Sequence, residues 1–205
     1  MDGLRRDVAE RYDALGERAW PAPDRDEPLP EEYQRVTAPE RYRIVFTRAR
    51  LWAERLAEVP GVRAEPTELR GFDRGTRVAS DRPGTQPLLL LERDGPPPVL
   101  YLCLGRPDVV LEMLPDCGCD ACDSGSESLL ENLDDVVTEV VDGPYVVLQA
   151  TSWQVRWSPE SAAASGGGNG PNAEPLWALC RQLANGADVT PPRGAAVFVN
   201  QPWSG

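Results

Sequence analysis

The sequence predicts an α+β fold, in which N-terminal helices and one acidic amphipathic helix pack against a mostly antiparallel sheet. Apolar residues recur at every third or fourth position in four segments, which is typical of helices with one buried face. Between these segments, short apolar runs alternate with turn signals, and such short connections favour antiparallel pairing of strands. The 205 residues show no internal repeat, which predicts a single domain over residues 1–205.

Composition divides the predicted domain into four parts. Residues 1–39 comprise a helix and a proline-rich arm, and residues 40–160 form the core. Residues 161–174 are dominated by small residues, chiefly alanine, glycine and serine, which predicts a flexible loop. Residues 175–205 form a C-terminal helix and a strand.

The two N-terminal helices are predicted from apolar stripes with helical spacing. The first covers residues 2–19, and its stripe consists of Leu4, Val8, Tyr12 and Leu15. The second covers residues 39–59, and its inward face consists of Tyr42, Val45, Phe46, Ala49, Trp52, Ala53 and Leu56. Arginines occupy much of its remaining surface, and we expect them to pair with acidic side chains elsewhere in the fold. Between the helices, Trp20 is the expected anchor of the extended arm.

Short apolar runs predict the strands of the sheet. Five such runs are residues 88–91, 99–104, 109–114, 145–150 and 153–157. Residues 62–94 are predicted to form short strands, and residues 69–78 within this segment carry two glycines, which favours a turn at this point. A short helix over residues 175–183 and a final strand over residues 195–199 complete the predicted elements.

The clearest element is an acidic helix that begins after Ser124 and ends at Gly143. Ser124 and Glu127 have the spacing of a capping box, which satisfies free amides in a first helical turn. Its apolar stripe consists of Leu129, Leu130, Leu133, Val136, Val137, Val140 and Val141. The acids predicted on the opposite, solvated side are Glu127, Glu131, Asp134, Asp135 and Glu139.

The basic residues restrict the chemistry open to this chain. All 21 are arginine, and the sequence contains no histidine. Without lysine there is neither a phosphate-binding loop of the GK[ST] type nor a Schiff base. Without histidine there is no serine–histidine or cysteine–histidine catalysis and no HExxH zinc site. The remaining reactive groups are carboxylates, hydroxyls, thiols and guanidinium groups.

The negative charge is concentrated in one segment. The net charge is −12, and residues 107–155 contain eleven acids and no base. Such a surface repels nucleic acid and anionic membranes, so neither is an expected partner. A solvated helix face is one interpretation of this pattern, and a docking face for a basic protein is the other. The residues predicted to carry such docking are Glu131, Asp134, Asp135 and Glu139.

No segment reaches the roughly 18 consecutive apolar residues that are needed to cross a bilayer. The N-terminal residues lack the apolar stretch of a secretory signal peptide. These patterns predict localisation in the cytoplasm, where thiols stay reduced.

Three of the five cysteines lie within six residues, at Cys117, Cys119 and Cys122. A C-x-C-x-x-C turn of this kind presents three thiolates to one ion, and tetrahedral zinc requires one further ligand. We predict a zinc site with Cys103, in a nearby strand, as the least certain ligand. Asp116, Asp120 and Asp123 are alternatives to Cys103, whereas Cys180 is assigned to the core.

Two other interpretations of the cysteine turn remain open. Cys119 and Cys122 form a CxxC pair, which is typical of thiol redox enzymes, although no thioredoxin-like βαβ pattern precedes it. The turn can also be a cofactor-free loop whose neighbouring acids raise the pKa of the thiols.

Separately, Trp153 and Trp157 share one strand face, which indicates either core packing or a small-ligand pocket. The leading prediction is a non-enzymatic, partner-binding protein with a zinc knuckle.

Two motifs resemble a known family. Residues 116–127 read DCGCDACDSGSE, and residues 31–37, EEYQRVT, are followed by PERYR at residues 39–43. Both are similar to segments of a family of uncharacterised proteins from high-GC Gram-positive bacteria, which is classified as a domain of unknown function. The resemblance covers residues 20–157 and implies membership without implying an activity or a catalytic residue.

Overall fold

Two antiparallel sheets, joined by a long helix, carry the fold in a computed structural model that describes residues 2–25, 27–166 and 172–203. The α+β class is confirmed. The helices described are α1 Asp2–Asp13, α2 Ile44–Ala57, α3 Gly125–Asp142 and α4 Ala173–Ala184. Three short 3-10 helices cover Pro30–Gln34, Pro39–Arg43 and Asp120–Cys122. None of the helices in these ranges is both long and apolar enough to cross a membrane.

The first sheet is a meander of five strands in chain order. They are β1 Val62–Pro66, β2 Arg74–Ser80, β3 Leu88–Arg93, β4 Val99–Leu104 and β5 Val110–Leu114. One face packs against α2 and the main core, and the other is covered by Leu69 and Phe72 from the β1–β2 connection. Because both faces are covered, the leucines of β3 are all buried, which explains their uninterrupted apolar run.

The second sheet has four strands in the order β8-β7-β6-β9. They are β6 Tyr145–Gln149, β7 Trp153–Trp157, β8 Ala162–Gly166 and β9 Ala196–Asn200. Helix α4 covers one face through Leu176 and Cys180, while Tyr145 and Val147 face the main core. The C-terminal strand β9 pairs with β6. Trp203, which follows β9, is buried, and its Nε1 donates a hydrogen bond to Asn200 Oδ1.

Several predicted boundaries differ from the structure. Helix α1 ends at Asp13, six residues before the predicted end at residue 19, and Leu15 beyond it is 56% exposed. Residues 74–80, which overlap the predicted turn, form β2 because their backbone pairs with both β1 and β3. Residues 162–166 of the predicted loop form the edge strand β8, and residues 167–171 lie outside the described residues. Helix α2 begins at Ile44, after a separate 3-10 turn.

A buried ion pair joins the first three helices. The Arg48 guanidinium donates to both carboxylate oxygens of Asp134, at 3.0 and 2.6 Å, and to the carbonyl oxygen of Val8. Trp52 Nε1 donates to the same carboxylate at 2.6 Å. The side chains of Arg48 and Asp134 are only 6% and 4% exposed. The prediction that Asp134 lies on a solvated face is therefore wrong, because α2 packs against α3 and its residues Arg48 and Trp52 bind this carboxylate.

Candidate metal centre

The cysteine turn lies between the edge strand β5 and the start of α3. Gly118 has a φ of +69°, and a Cβ atom at this position would lie 2.6 Å from Pro97 Cγ. Glycine is therefore required both for the backbone conformation and for close packing against Pro97. Cys119 follows immediately, and the 3-10 helix Asp120–Cys122 turns the chain back so that Cys122 approaches the first two thiols.

The turn brings three thiols together. The Sγ atoms of Cys117, Cys119 and Cys122 all lie within 4.8 Å of one another, and those of Cys117 and Cys119 are 3.3 Å apart. Zinc–sulfur bonds of about 2.3 Å place tetrahedral ligands roughly 3.8 Å from each other, so small side-chain rotations would seat the ion. Cys119 is buried, whereas Cys117 and Cys122 are exposed, so an ion can enter from solvent.

Hydrogen bonds among the thiols shift the pKa values of Cys119 and Cys122 in opposite directions. Burial raises the pKa of Cys119, but hydrogen bonds from the thiols of Cys117 and Cys122 and from nearby backbone amides outweigh it and lower that pKa. Hydrogen bonding to Cys117 and Cys119 raises the pKa of Cys122 to about 12. Cys119 is therefore easier to deprotonate than Cys122, and a bound divalent cation would favour the thiolate form of its cysteine ligands.

Two acids of the turn, Asp120 and Asp123, accept hydrogen bonds from residues of the N-terminal part of the chain. The Asp120 carboxylate accepts from Arg35 Nε at 2.5 Å and from the amide and hydroxyl of Thr37 at 2.6 and 2.7 Å. Burial raises the pKa of Asp120, but these hydrogen bonds outweigh it and hold the pKa at about 2. The Asp123 carboxylate accepts from Trp20 Nε1, from Arg41 and from the amide of Gly125.

The other predicted ligands, Asp116 and Cys103, differ in where they lie relative to the three thiols. Asp116 is exposed and makes no hydrogen bond or ion pair within the described residues. It lines a cleft of about 160 Å³ together with Cys117, Cys122 and Glu112. Cys103 is fully buried in β4, packs with Leu89 and Tyr101, and lies 3.5 Å from the carbonyl oxygen of Pro107. The structure therefore brings Asp116, and not Cys103, to the rim of the three-cysteine group.

The cysteine turn and the start of α3 hold an N-terminal arm, which we define as residues 20–37. At its first residue, the backbone amide of Trp20 donates to Ser126 Oγ, and the carbonyl of Trp20 accepts from the amide of Ser126. The Trp20 ring packs edge-on against Tyr42 and lies under the Arg41 guanidinium. At the far end, the amide of Asp120 donates to the carbonyl of Arg35 at 2.8 Å. Trp20 is thus an anchor of the arm, as predicted.

The arm crosses α3 at Gly125, where the backbones touch. Gly125 has a φ of +85°, and a Cβ atom there would lie 2.6 Å from the amide nitrogen of Ala22. The predicted capping box is absent, since Ser124 makes no capping hydrogen bond and the Asp123 carboxylate accepts from the Gly125 amide instead. This close approach fixes the path of the arm over the start of α3.

Replacing Gly125 with alanine should displace the arm and destabilise the protein. Backbone strain at positive φ costs about 1–3 kcal/mol, and the contact with Ala22 adds to it because backbone atoms cannot move aside freely. Gly71→Ala is the matched control, because Gly71 also has positive φ but nothing lies within 4 Å of the Cβ atom that alanine would add. Urea unfolding would measure both variants. Equal losses of unfolding free energy would show that the contact with Ala22 contributes nothing.

The four acids predicted to bind a partner do not form one free surface. Asp134 is buried against Arg48, and Asp135 pairs with Arg5 at 2.5 Å while remaining 57% exposed. Glu139 accepts hydrogen bonds from Ser158 and Ser161. Glu131 is exposed and has no hydrogen bond or ion pair within the described ranges. Of these four acids, Glu131 and part of Asp135 therefore remain exposed to solvent.

The tryptophan pair of β7 faces α4. Trp153 and Trp157 pack against the cluster formed by Val146, Leu148 and Leu176. Trp153 also borders a crevice of about 500 Å³ between the two sheets, which Trp157 does not line. Packing against α4 thus accounts for the pair, and the crevice involves Trp153 alone.

Sequence reasoning identified the three thiols but missed the residues that hold the arm to them. Arg35 and Thr37 lie 85 and 83 residues before their partner Asp120, so no local spacing reveals the contact. The available signal was that the two segments with a family resemblance, residues 31–43 and 116–127, contain both halves of this interaction.

Comparisons with known proteins give a family but no activity. A family model described as "Family of unknown function (DUF6226)" matches residues 8–205. No curated protein and no solved structure matches the chain.

Proposed function

Because the chain belongs to this family of unknown function, its role has to be inferred from the site, and we propose a non-enzymatic partner-binding module with a structural zinc centre. In this proposal Cys117, Cys119 and Cys122 bind the ion, and the turn that they form fixes the N-terminal arm to the core. The observation that carries the proposal is the convergence of three thiols on a turn whose remaining polar groups hold the arm.

The donor set favours a structural role for the ion over a catalytic one. Three thiolates more than neutralise a divalent cation, which weakens its ability to polarise a substrate. Asp116 can supply the fourth ligand, because it adjoins Cys117, lines the same cleft and has no competing hydrogen bond within the described residues. The other two acids are already paired with Arg35 and Arg41, so they add no unpaired negative charge beside the ion.

The proposed partner is a basic protein, and the proposed location is the cytoplasm. The net charge of −12 favours a positively charged surface as its complement. The five cysteines are all free thiols, which suits a reducing compartment. On α3, Glu131 and the exposed part of Asp135 remain available for such contacts.

Metal analysis tests the proposed centre. Protein purified without chelator should contain one zinc ion per chain by elemental analysis and native mass spectrometry. Cys119→Ser should lose the ion, because two thiols and a carboxylate make a much weaker site. Cys103→Ser is the matched control and should keep one zinc, since Cys103 packs elsewhere in the sheet. Metal-free wild-type protein with three reduced thiols in the turn would refute the proposal.

A thiol redox enzyme that uses the pair Cys119 and Cys122 is the second candidate, because their Sγ atoms lie within 4.8 Å of each other and the pKa of Cys119 is lowered. This alternative requires a reversible two-electron couple in the metal-free protein, measurable by titration in thiol buffers. Zinc that survives purification and leaves the thiols unreactive would exclude it.

A further inference from the structure

The outer surface of the arm carries an unusual concentration of exposed apolar side chains. Among the described residues, four large hydrophobic side chains are exposed, and three of them fall within eight positions of the arm. These are Leu29, Tyr33 and Val36, with exposures of 56%, 59% and 37%. Leu15, at 56%, is the fourth and lies outside the arm. Three such residues so close in sequence are a candidate interaction site, because exposed apolar patches mark such sites whereas single exposed residues do not.

The apolar residues lie on backbone that is firmly held. Glu32, in the 3-10 helix that contains Tyr33, is buried and accepts from the amide of Leu29 at 2.7 Å. The same carboxylate pairs with Arg25 and Arg35. Arg35 is fixed in turn by Asp120 of the cysteine turn. The protein thus orders residues 29–36 although the apolar side chains of Leu29, Tyr33 and Val36 are largely exposed, and such preorganisation lowers the entropic cost of binding.

The charge around these side chains is negative. Asp24, Glu27 and Glu31 are exposed and make no hydrogen bond or ion pair within the described part of the chain. The two arginines of the arm both pair with acids of the same chain, Glu32 and Asp120, although the Arg35 side chain is 56% exposed. A second copy of this chain would bring like charges together, which disfavours self-association through this surface.

We propose that Leu29, Tyr33 and Val36 form a docking surface for a protein segment in which arginine or lysine residues flank a large apolar anchor. This inference rests on the proposed partner-binding function and moves its main contact from α3 to the arm. The apolar anchor would cover Tyr33, and the flanking cations would face Glu27 and Glu31. The cysteine turn then acts indirectly, by holding the arm in the conformation that binds.

Selection from a phage library of random 16-residue peptides tests this surface even though the natural partner is unidentified. The target is the immobilised full chain, and zinc content is measured on the same preparation. Enriched peptides should combine basic residues with an aromatic or large aliphatic residue, and a synthetic copy should bind more weakly at high salt. Tyr33→Ser should weaken its binding at least about tenfold, since aromatic anchors dominate such contacts. Leu15→Ser should leave binding unchanged.

The outcomes separate this inference from the zinc centre. Failure to enrich any peptide overturns the docking surface, and so does a peptide that binds the Tyr33→Ser and wild-type proteins equally. If either result is obtained with protein that contains zinc, it overturns the docking surface but does not count against the proposed metal centre. Absence of zinc with Tyr33-dependent peptide binding would refute the centre and retain the docking surface.

Discussion

Replacing Asp134 with alanine should destabilise the protein by about 3–5 kcal/mol, because it leaves the buried Arg48 guanidinium without its counter-charge. Trp52 Nε1 loses its acceptor in the same change. Since the Arg48 side chain is 6% exposed, water cannot replace the missing carboxylate without opening the helix interface. For a chain of this length we expect the melting temperature to fall by roughly 10 °C or more.

Asp135→Ala provides the matched control for that experiment. Asp135 is the next residue of the same helix and carries the same charge, but it is 57% exposed in its pair with Arg5. Exposed pairs contribute about 0–1 kcal/mol, so this variant should unfold nearly like the wild type. Calorimetry and urea unfolding would compare the two. Similar losses at both positions would contradict the assignment of a buried, stability-determining pair to Arg48 and Asp134.

A double replacement, Arg48→Met with Asp134→Leu, separates burial of an unpaired charge from loss of the pair itself. Apolar side chains of similar size remove both buried charges, so the double variant should recover much of the stability lost in Asp134→Ala. Such a recovery would show that the unfolding free energy lost in Asp134→Ala comes mainly from leaving the Arg48 guanidinium buried without a counter-charge.

Removing zinc should release the N-terminal arm while the two sheets stay folded. The arm depends on hydrogen bonds to Asp120, Asp123 and Ser126, which belong to the cysteine turn or to the helix start beside it. Without the ion the turn loses its cross-link, and local opening becomes easier. Trypsin should then cleave after Arg25 and Arg35 at least about tenfold faster, because cleavage follows the open population.

Chelator treatment of Cys103→Ser should reproduce the wild-type increase in cleavage, whereas Cys119→Ser should be cleaved rapidly with or without chelator. Trp20 should also move into water, which tryptophan fluorescence would report as a shift to longer wavelength. A cleavage rate that does not respond to chelation in zinc-loaded protein would show that the arm is held independently of the ion.

The helices and most strands could be predicted because each has its own spacing of apolar residues, which can be recognised within a short stretch of sequence. All seven residues predicted on the inner face of the second helix are buried, and so are six of the seven predicted on the acidic helix, with Leu130 partly buried. The three thiols could be predicted as a group for the same reason, since a C-x-C-x-x-C turn is too short to separate them.

The contacts between distant segments could not be predicted in the same way. Asp134 follows the spacing of a solvated residue on α3, and its burial depends on Arg48 and Trp52 of α2, which lie 86 and 82 positions away in the chain. Similarly, the place of Asp120 in the turn makes it a candidate metal ligand, but its carboxylate is taken by Arg35 and Thr37. The division of the strands into two sheets depends on pairings between distant segments, such as β6 with β9, which no single segment encodes.

X-ray absorption spectroscopy at the zinc edge tests the proposed centre most directly, because it reports the atoms bound to the ion. For the full chain loaded with one zinc, we expect three sulfur ligands at about 2.3 Å and one oxygen ligand at roughly 2.0–2.2 Å. Asp116→Asn should change only the oxygen contribution. Coordination by oxygen alone, or a zinc ion that keeps three sulfur ligands after Cys119→Ser, would contradict the assignment of the centre to Cys117, Cys119 and Cys122.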